Sequence, residues 1–410
     1  MWKNPGTRKE AAMKKRYGSV ACAGVDVHYK FSTVTFRDGA GRVAARERLE
    51  HADRAALRRQ VGRWPKGMPV VLEASFGWGW LSDLLEEVGL EPHLSNCYKV
   101  ERMREARGDV KTNRKDADLL SRLPAEATPW WEVWRAPPEV RNRREAMRHR
   151  ASLVAVQTET KNRIHALLHR HGVFFTEGTD LFGGRGRRFL AALSQDGRHA
   201  GGVVPEEARQ GLADLVALTT HLRDRLHAVS RRLRQGLERD PLTRRLDGIP
   251  GIGLILAHTV QAEIGEIGRF RSAKALASYA CLAPRARDTG EGDPGRTPLG
   301  RRLPERGNRT LKWALIEAAH GAVRHGGRWR ALWDRATDGG RKNRGRGYIK
   351  VARELVNVVF LVWSRNVAYR EMPPRRPGSR SATRRARTSR PGTGQPFHPM
   401  VEVSGPQASA

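Results

Sequence analysis

The sequence has 410 residues, of which 39% are hydrophobic and 29% charged, enough chain for two or three domains at roughly 100–200 residues each. Its 76 Lys and Arg against 43 Asp and Glu leave a formal net charge of +33, far beyond what solubility requires and the electrostatic footprint of a polyphosphate partner, nucleic acid first of all. No run approaches the roughly 20 apolar residues of a membrane helix, no apolar signal segment follows Met1-Trp2-Lys3-Asn4-Pro5, and Cys22, Cys97 and Cys281 form no CxxC pair. A spanning chain, a secreted disulfide framework and an ordinary zinc finger are thereby excluded, and a cytoplasmic protein with three small buried cysteines is expected. Arg outnumbers Lys 62 to 14; a GC-rich gene explains that ratio, but not the surplus over acids.

In chain order, residues 1–18 are polar and basic and read as unordered. Val20 to Val27 is small and apolar, Phe31 to Phe36 alternates at period two before Asp38-Gly39, and Arg42 to Leu49 follows, which predicts three strands in a meander. A helix over 52–63, a buried strand Val70 to Glu73, a helix Trp80 to Val88 ending at Gly89, and a strand Leu90 to Leu94 complete an α/β pattern that matches an RNase H-like sheet over 19–135. Residues 137–171 read as one long basic helix with Ala151, Val154, Thr158, His165 and Leu168 near one seam. A cleaner stripe, Leu212, Leu215, Leu222, Leu226, Val229 and Leu233, recurs at three- and four-residue steps in 205–239. The two helices suggest a coiled-coil hairpin spacer over 136–240, with intramolecular bundle packing as the alternative. Residues 241–370 read as a mostly α-helical domain with helices at Leu311 to Arg324 and Tyr348 to Arg365, and 371–410 as a disordered basic tail.

The candidate chemistry begins with Asp26, a carboxylate inside an apolar strand, which is costly unless paired or bound to a metal. Glu73 ends the apolar run Pro69-Val70-Val71-Leu72 in the same way, and two acids at neighbouring strand ends can converge on Mg²⁺, a hard cation that prefers carboxylate oxygens. Asn113 can cap a helix with Asp116 three residues on and on the same face, while Asp118 faces elsewhere; an ordinary cap with first-turn acids is the alternative. Pro250-Gly251-Ile252-Gly253 resembles a helix–hairpin–helix turn, in which Gly251 and Gly253 let backbone N–H groups approach a phosphate, although a plain Gly-rich turn fits as well. Arg285, Arg287, Arg301 and Arg302 beside it, with Lys161 and Arg163 on the long helix, are the further candidates for phosphate contact.

Gly24-Val25-Asp26-Val27-His28, Val71-Leu72-Glu73-Ala74 and Lys111-Thr112-Asn113-Arg114-Lys115-Asp116-Ala117, in that order, resemble the RuvC-like catalytic domain of the DEDD-type insertion-sequence transposases of the IS110 group. The similarity continues through Lys161 to Leu168, Ile249 to Gly253, Glu263-Ile264-Gly265, Arg269 to Ser272, Ser278 to Pro284, Arg306 to Arg309 and Trp313 to Ala319, and so covers roughly residues 20–370. The resemblance implies a Mg²⁺-dependent DNA recombinase that moves its own element. The partners it implies are DNA, a structured guide RNA from the element and further copies of the chain in a dimer or tetramer, with a bacterial, nucleoid-associated location.

Carried over by that resemblance, Asp26, Glu73 and Asp116 match three of the four acids, and the remaining one falls on Asn113, whose oxygen can ligate a cation without adding charge. The serine nucleophile of the C-terminal domain is matched by Thr289, before Gly290, which offers a hydroxyl with a hindering β-methyl. The alternatives are a RuvC-like endonuclease in which water attacks, and an inactive relative that only binds nucleic acid.

Overall fold

The computed structural model describes residues 17–108, 112–199, 202–237, 239–283 and 307–371. The chain forms two compact units that meet between residues 138 and 139.

In the first unit, β1 (Val20–Val27), β2 (Phe31–Asp38) and β3 (Val43–Glu50) form an antiparallel meander. Helix α1 (Arg54–Val61) leads to β4 (Pro69–Glu73), and α2 (Trp78–Glu87) leads to β5 (Glu91–Ser95). Strand β4 runs parallel to both β1 and β5. Helices α3 (Cys97–Ala106) and α4 (Asn113–Leu120) follow, and the short β6 (Glu132–Val133) closes the edge antiparallel to β5. The order β3-β2-β1-β4-β5-β6 is a mixed sheet consistent with the RNase H-like expectation. Helix α3 and strand β6 are additions to the pattern read from the sequence.

Strand alternation sorts the side chains by face. Ala23, Val25 and Val27 with Val70 and Leu72 enter the larger core, built with Val34, Phe36, Trp64, Leu81 and Leu85. Val71 turns the other way, into a smaller cluster with Val100, Leu119, Leu120, Leu123 and Trp131. Asp26 and Glu73 share the parity of Gly24 and Val71, so the sheet sends both acids to the face that α3 and α4 cover. Tyr17 lies within the segment expected to be unordered, yet it is buried against Phe36 with ring centroids 5.7 Å apart. Its hydroxyl donates to the buried Glu47 carboxylate, which supplies the partner that a buried phenol needs.

The second unit opens with the long α5 (Pro138–Arg170), then α6 (Gly184–Asp196), a small ribbon of β7 (Arg198–His199) and β8 (Gly202–Val203), and the long α7 (Glu206–Leu237). The apolar stripe of α7 is as read, with Leu212, Leu222, Leu226 and Val229 buried. On α5 the buried positions are Val140, Met147, Thr160, Ile164, Leu167 and Leu168; of the expected seam only Leu168 is among them, because the C-terminal turns of α5 pack with Leu190 and Leu193 of α6 and Leu212 of α7 in a local core. Among the described residues, six shorter α-helices follow: α8 (Pro241–Asp247), α9 (Leu254–Ile264), α10 (Ala273–Tyr279), α11 (Arg309–His325), α12 (Gly327–Thr337) and α13 (Arg344–Ser364). They enclose the largest core, from Leu246 to Val362, with Trp329 fully buried. No described helix is long and apolar enough to cross a membrane.

Candidate active site

Gly24 is the residue that allows the site to assemble. A Cβ at this position would stand 2.2 Å from the Ser121 amide nitrogen and 2.4 Å from the Ala117 carbonyl oxygen, so only glycine lets α4 lie directly on β1. Thr112 caps α4 by accepting from the Lys115 amide at 3.2 Å. Asn113, expected as the cap, is instead the first helical residue and is exposed; the shorter threonine side chain one position earlier already fills the capping role. Asp118 is stapled outward to the meander, accepting from Thr35 Oγ1 at 2.8 Å and from Arg46 at 3.0 Å. That fixes the rotation of α4 and leaves Asp116, two residues earlier, to another face.

Strands β1 and β4 pair Ala23 with Val70, Gly24 with Val71 and Val25 with Leu72, and the same register carried one residue further sets Asp26 opposite Glu73. Burial pushes the Asp26 carboxyl above the ordinary range, and the charges of Asp116 and Glu73 push it the same way, while His28 pulls it back. Glu73 and Asp116, from a neighbouring strand and a helix, are therefore close enough for their charges to act on Asp26. Each leans on a local group: Asp26 Oδ2 lies 2.8 Å from His28 Nε2, Asp116 Oδ1 accepts from Arg104 at 3.2 Å, and the Cys97 thiol donates to Glu73. Burial pushes that thiol up to about 12, with the Glu73 charge and hydrogen bond acting in the same direction.

The chemistry of this donor set fits a hard divalent cation, which would relieve the mutual repulsion. Asp26 Oδ2 and His28 Nε2 are both buried and have only each other as polar partners among the described residues. As the side chains stand, no three His, Cys, Asp or Glu groups among the described residues gather around one point. Two exposed aromatics, Tyr29 and Phe76, each sit three residues beyond an acid of the pair.

The other predicted residues are in the second unit or outside the described residues. Gly251 has φ of 85°, and a Cβ there would come within 2.1 Å of the Ala318 carbonyl oxygen, so its glycine is required by close packing on α11. Gly253 has open space around it, caps α9 without a side-chain bond, and borders a small cleft with Arg234. Lys161 lies over the Phe182 ring at 4.9 Å, and Arg163 pairs with Glu159 at 2.6 Å. Thr289, Arg285, Arg287, Arg301 and Arg302 lie outside the described residues.

Sequence reasoning missed Arg104 and Cys97 because it missed α3, although Asn96, which caps that helix by accepting from the Lys99 amide, was a readable start signal. It also missed a buried clamp in the second unit. Glu263, fully buried, takes a bidentate pair from Arg148 at 2.8 Å for each bond and a third from Asn308 Nδ2 at 2.7 Å. Asn308 also donates its amide to the Tyr279 carbonyl at 2.9 Å, which ties α10 to the start of α11.

A family model described as a transposase, of the DEDD IS110 type, matches residues 23–172, and a second, described as the transposase IS116/IS110/IS902 family, matches 243–334. The chain belongs to the IS110 family of DEDD-type transposases. It resembles the transposase for insertion sequence element IS1111A of Coxiella burnetii, 25% identical over 266 residues that span 63% of this chain and 68% of the other. It also resembles a 44.8 kDa protein of insertion element IS116 from Streptomyces clavuligerus, 26% identical over 65% of this chain and 75% of the other. A probable family 20 transposase of Pseudomonas aeruginosa is 30% identical over 43% of this chain and 49% of its own length. This transposase is accordingly a DNA-cleaving and joining enzyme of an insertion sequence, and the first matched span encloses Asp26, Glu73 and Asp116.

Proposed function

We propose that this transposase performs Mg²⁺-dependent strand cleavage and exchange through Asp26, Glu73 and Asp116, with Asn113 as a neutral oxygen ligand and Thr289 as the attacking hydroxyl. The observation that carries this reading is the crowding of a buried Asp26 by the charges of Glu73 and Asp116, with His28 as the one partner the structure gives its Oδ2 among the described residues. Like charges gathered and partly buried in this way are characteristic of functional sites. A divalent ion held there would stabilise charge on the phosphoryl oxygens during in-line displacement.

The chain's own residues have assignable parts in this reading. Thr289 Oγ1 forms a bond to phosphorus as the P–O bond to the leaving strand breaks, and its proton goes to solvent or a carboxylate. A strand hydroxyl later reverses the step, breaking the Thr–O–P bond and joining the new DNA. The Glu263–Arg148–Asn308 clamp ties α5, α9 and the start of α11 together. Tyr29 and Phe76 offer exposed faces on which unpaired bases stack beside the acids. The surplus of basic charge supports binding of DNA together with a guide RNA. We further read 136–240 as a coiled-coil spacer through which copies associate, 241–370 as the transposase domain, and the bacterial cytoplasm as the site of action.

A second reading, a relative that binds nucleic acid without cutting it, is favoured by the Arg104–Asp116 ion pair and by the amide at Asn113. A Mg²⁺-dependent strand-exchange assay, followed by denaturing gels, separates the two. Asp26→Ala and Glu73→Ala should abolish exchange, and Thr289→Val should eliminate the covalent protein–DNA band that Thr289→Ser retains. A wild-type chain that binds DNA and never breaks it establishes the second reading, and a covalent band in Thr289→Val removes the nucleophile assignment.

A further inference from the structure

A cleft of about 590 Å³ opens in the second unit between α5, the C-terminal end of α7, the start of α8 and α9, lined among others by Arg143, Arg232, Arg239, Asp240, His258 and Gln261. Its size is that of an ordinary ligand site. Three arginines from three segments converge on it, and none has a carboxylate within ion-pair distance among the described residues. The lining acid is already spent within the protein. Asp240 accepts from the Leu242 amide at 3.0 Å, Thr243 Oγ1 at 3.1 Å and Gln261 Nε2 at 2.6 Å.

Positive charge accumulates along the same seam. Two turns further along α5, Arg150 reaches Ser230 Oγ of α7 at 2.9 Å, and burial together with the Arg234 charge disfavours its charged form. At the wall of the cleft His258 is only 8% exposed, and its Nδ1 has no hydrogen-bond partner. Burial and then Arg143 lower the pKa of the ring, with Asp240 and Gln261 acting against them. The cleft thus joins a buried ring nitrogen without a partner to three exposed guanidinium groups without a carboxylate, a donor set that an anion can complete.

We propose that Arg143, Arg232, Arg239 and His258 form a phosphate-binding cleft that seats the backbone of a nucleic-acid strand. The inference rests on the reading that the chain binds nucleic acid, and it is independent of the metal centre, since the cleft lies wholly in the second unit. The guanidinium groups supply bidentate donors to phosphate oxygens, and the imidazole supplies a further N–H from a fixed position. Contacts of this kind fix strand register without reading bases.

The test uses the full chain and labelled single-stranded DNA and RNA of one sequence, with affinity followed by anisotropy across a salt series. The triple variant Arg143→Gln/Arg232→Gln/Arg239→Gln should lose about two units of salt slope, as expected for three lost phosphate contacts on a single strand, with unchanged melting. A control triple, Arg335→Gln/Arg341→Gln/Arg353→Gln, removes the same charge from exposed positions of the same unit and should lose less than half as much. Unequal loss on DNA and RNA identifies which backbone occupies the cleft, and equal loss assigns it to either. In parallel, the imidazole resonance of His258, assigned by its absence in His258→Gln, should move when oligonucleotide or inorganic phosphate is added to the wild type and stay still in the cleft triple. Equal losses in the two triples, or a His258 resonance that ignores both ligands, would overturn the proposal while leaving nucleic-acid binding intact. A wild type that binds neither strand overturns the binding reading and the cleft together.

Discussion

Glu263 and Asp26 are both buried carboxylates, and the protein treats them in opposite ways. Glu263 is enclosed by two guanidinium bonds from Arg148, an amide bond from Asn308 and the nearby Arg144. Asp26 has a single imidazole at 2.8 Å and two further acids whose charges act against it. A buried charge is tolerated when its lone pairs are filled. The first site therefore holds the fold together, while the second is a set of acids that the fold crowds at a cost, and that contrast is what the proposed cation site rests on.

Breaking the satisfied site should have the larger effect on stability. Arg148→Gln leaves a fully buried carboxylate with Asn308 and a more distant Arg144, and should lower unfolding free energy by about 3 kcal/mol, the lower end of the range for a broken buried pair because Arg148 is itself half exposed. Equilibrium denaturation checks this, and a loss under about 1 kcal/mol would show that solvent, not the clamp, supports Glu263. Gly24→Ala tests the other side through geometry. Its Cβ would overlap the α4 backbone, so α4 must shift outward, costing about 1–3 kcal/mol by overpacking and abolishing exchange even though no acid is touched. Activity at the wild-type level would mean that the α4 acid is dispensable. The smallest effect is expected from Thr112→Ala, which removes the α4 cap for about 1 kcal/mol; activity should fall only in proportion to the unfolded fraction, measured by melting alongside the assay.

Much of the sheet was legible from the apolar runs Val20 to Val27 and Val70 to Leu72 and from the alternation of Phe31 to Phe36; that Val70 and Leu72 enter one core and Val71 the other is seen only in the fold. The helix carrying Asp116 was legible too, but its start was read one residue late, because Thr112 and Asn113 are both good caps and only the fold shows which one reaches the Lys115 amide. What could not be read is contact between distant segments. The Arg104–Asp116 pair, the clamp on Glu263 and the arginine cleft each depend on packing that no local pattern encodes. The glycines show the same limit: Gly251 resembled a phosphate-binding turn, and the structure gives it a packing reason, whereas Gly24 looked like an unremarkable strand residue and proves to seat a helix.

The most direct test of the contrast is thermal melting of the wild type, Asp26→Asn and Glu263→Gln, each with Mg²⁺ and in metal-free buffer. The account predicts that Mg²⁺ raises the melting temperature of the wild type, that Asp26→Asn melts at or above the metal-free wild type and no longer responds to the ion, and that Glu263→Gln melts lower in both buffers while keeping the wild-type Mg²⁺ response. An Asp26→Asn chain that is destabilised and still responds to Mg²⁺ would contradict it, since Asp26 would then be a structural carboxylate of the same kind as Glu263.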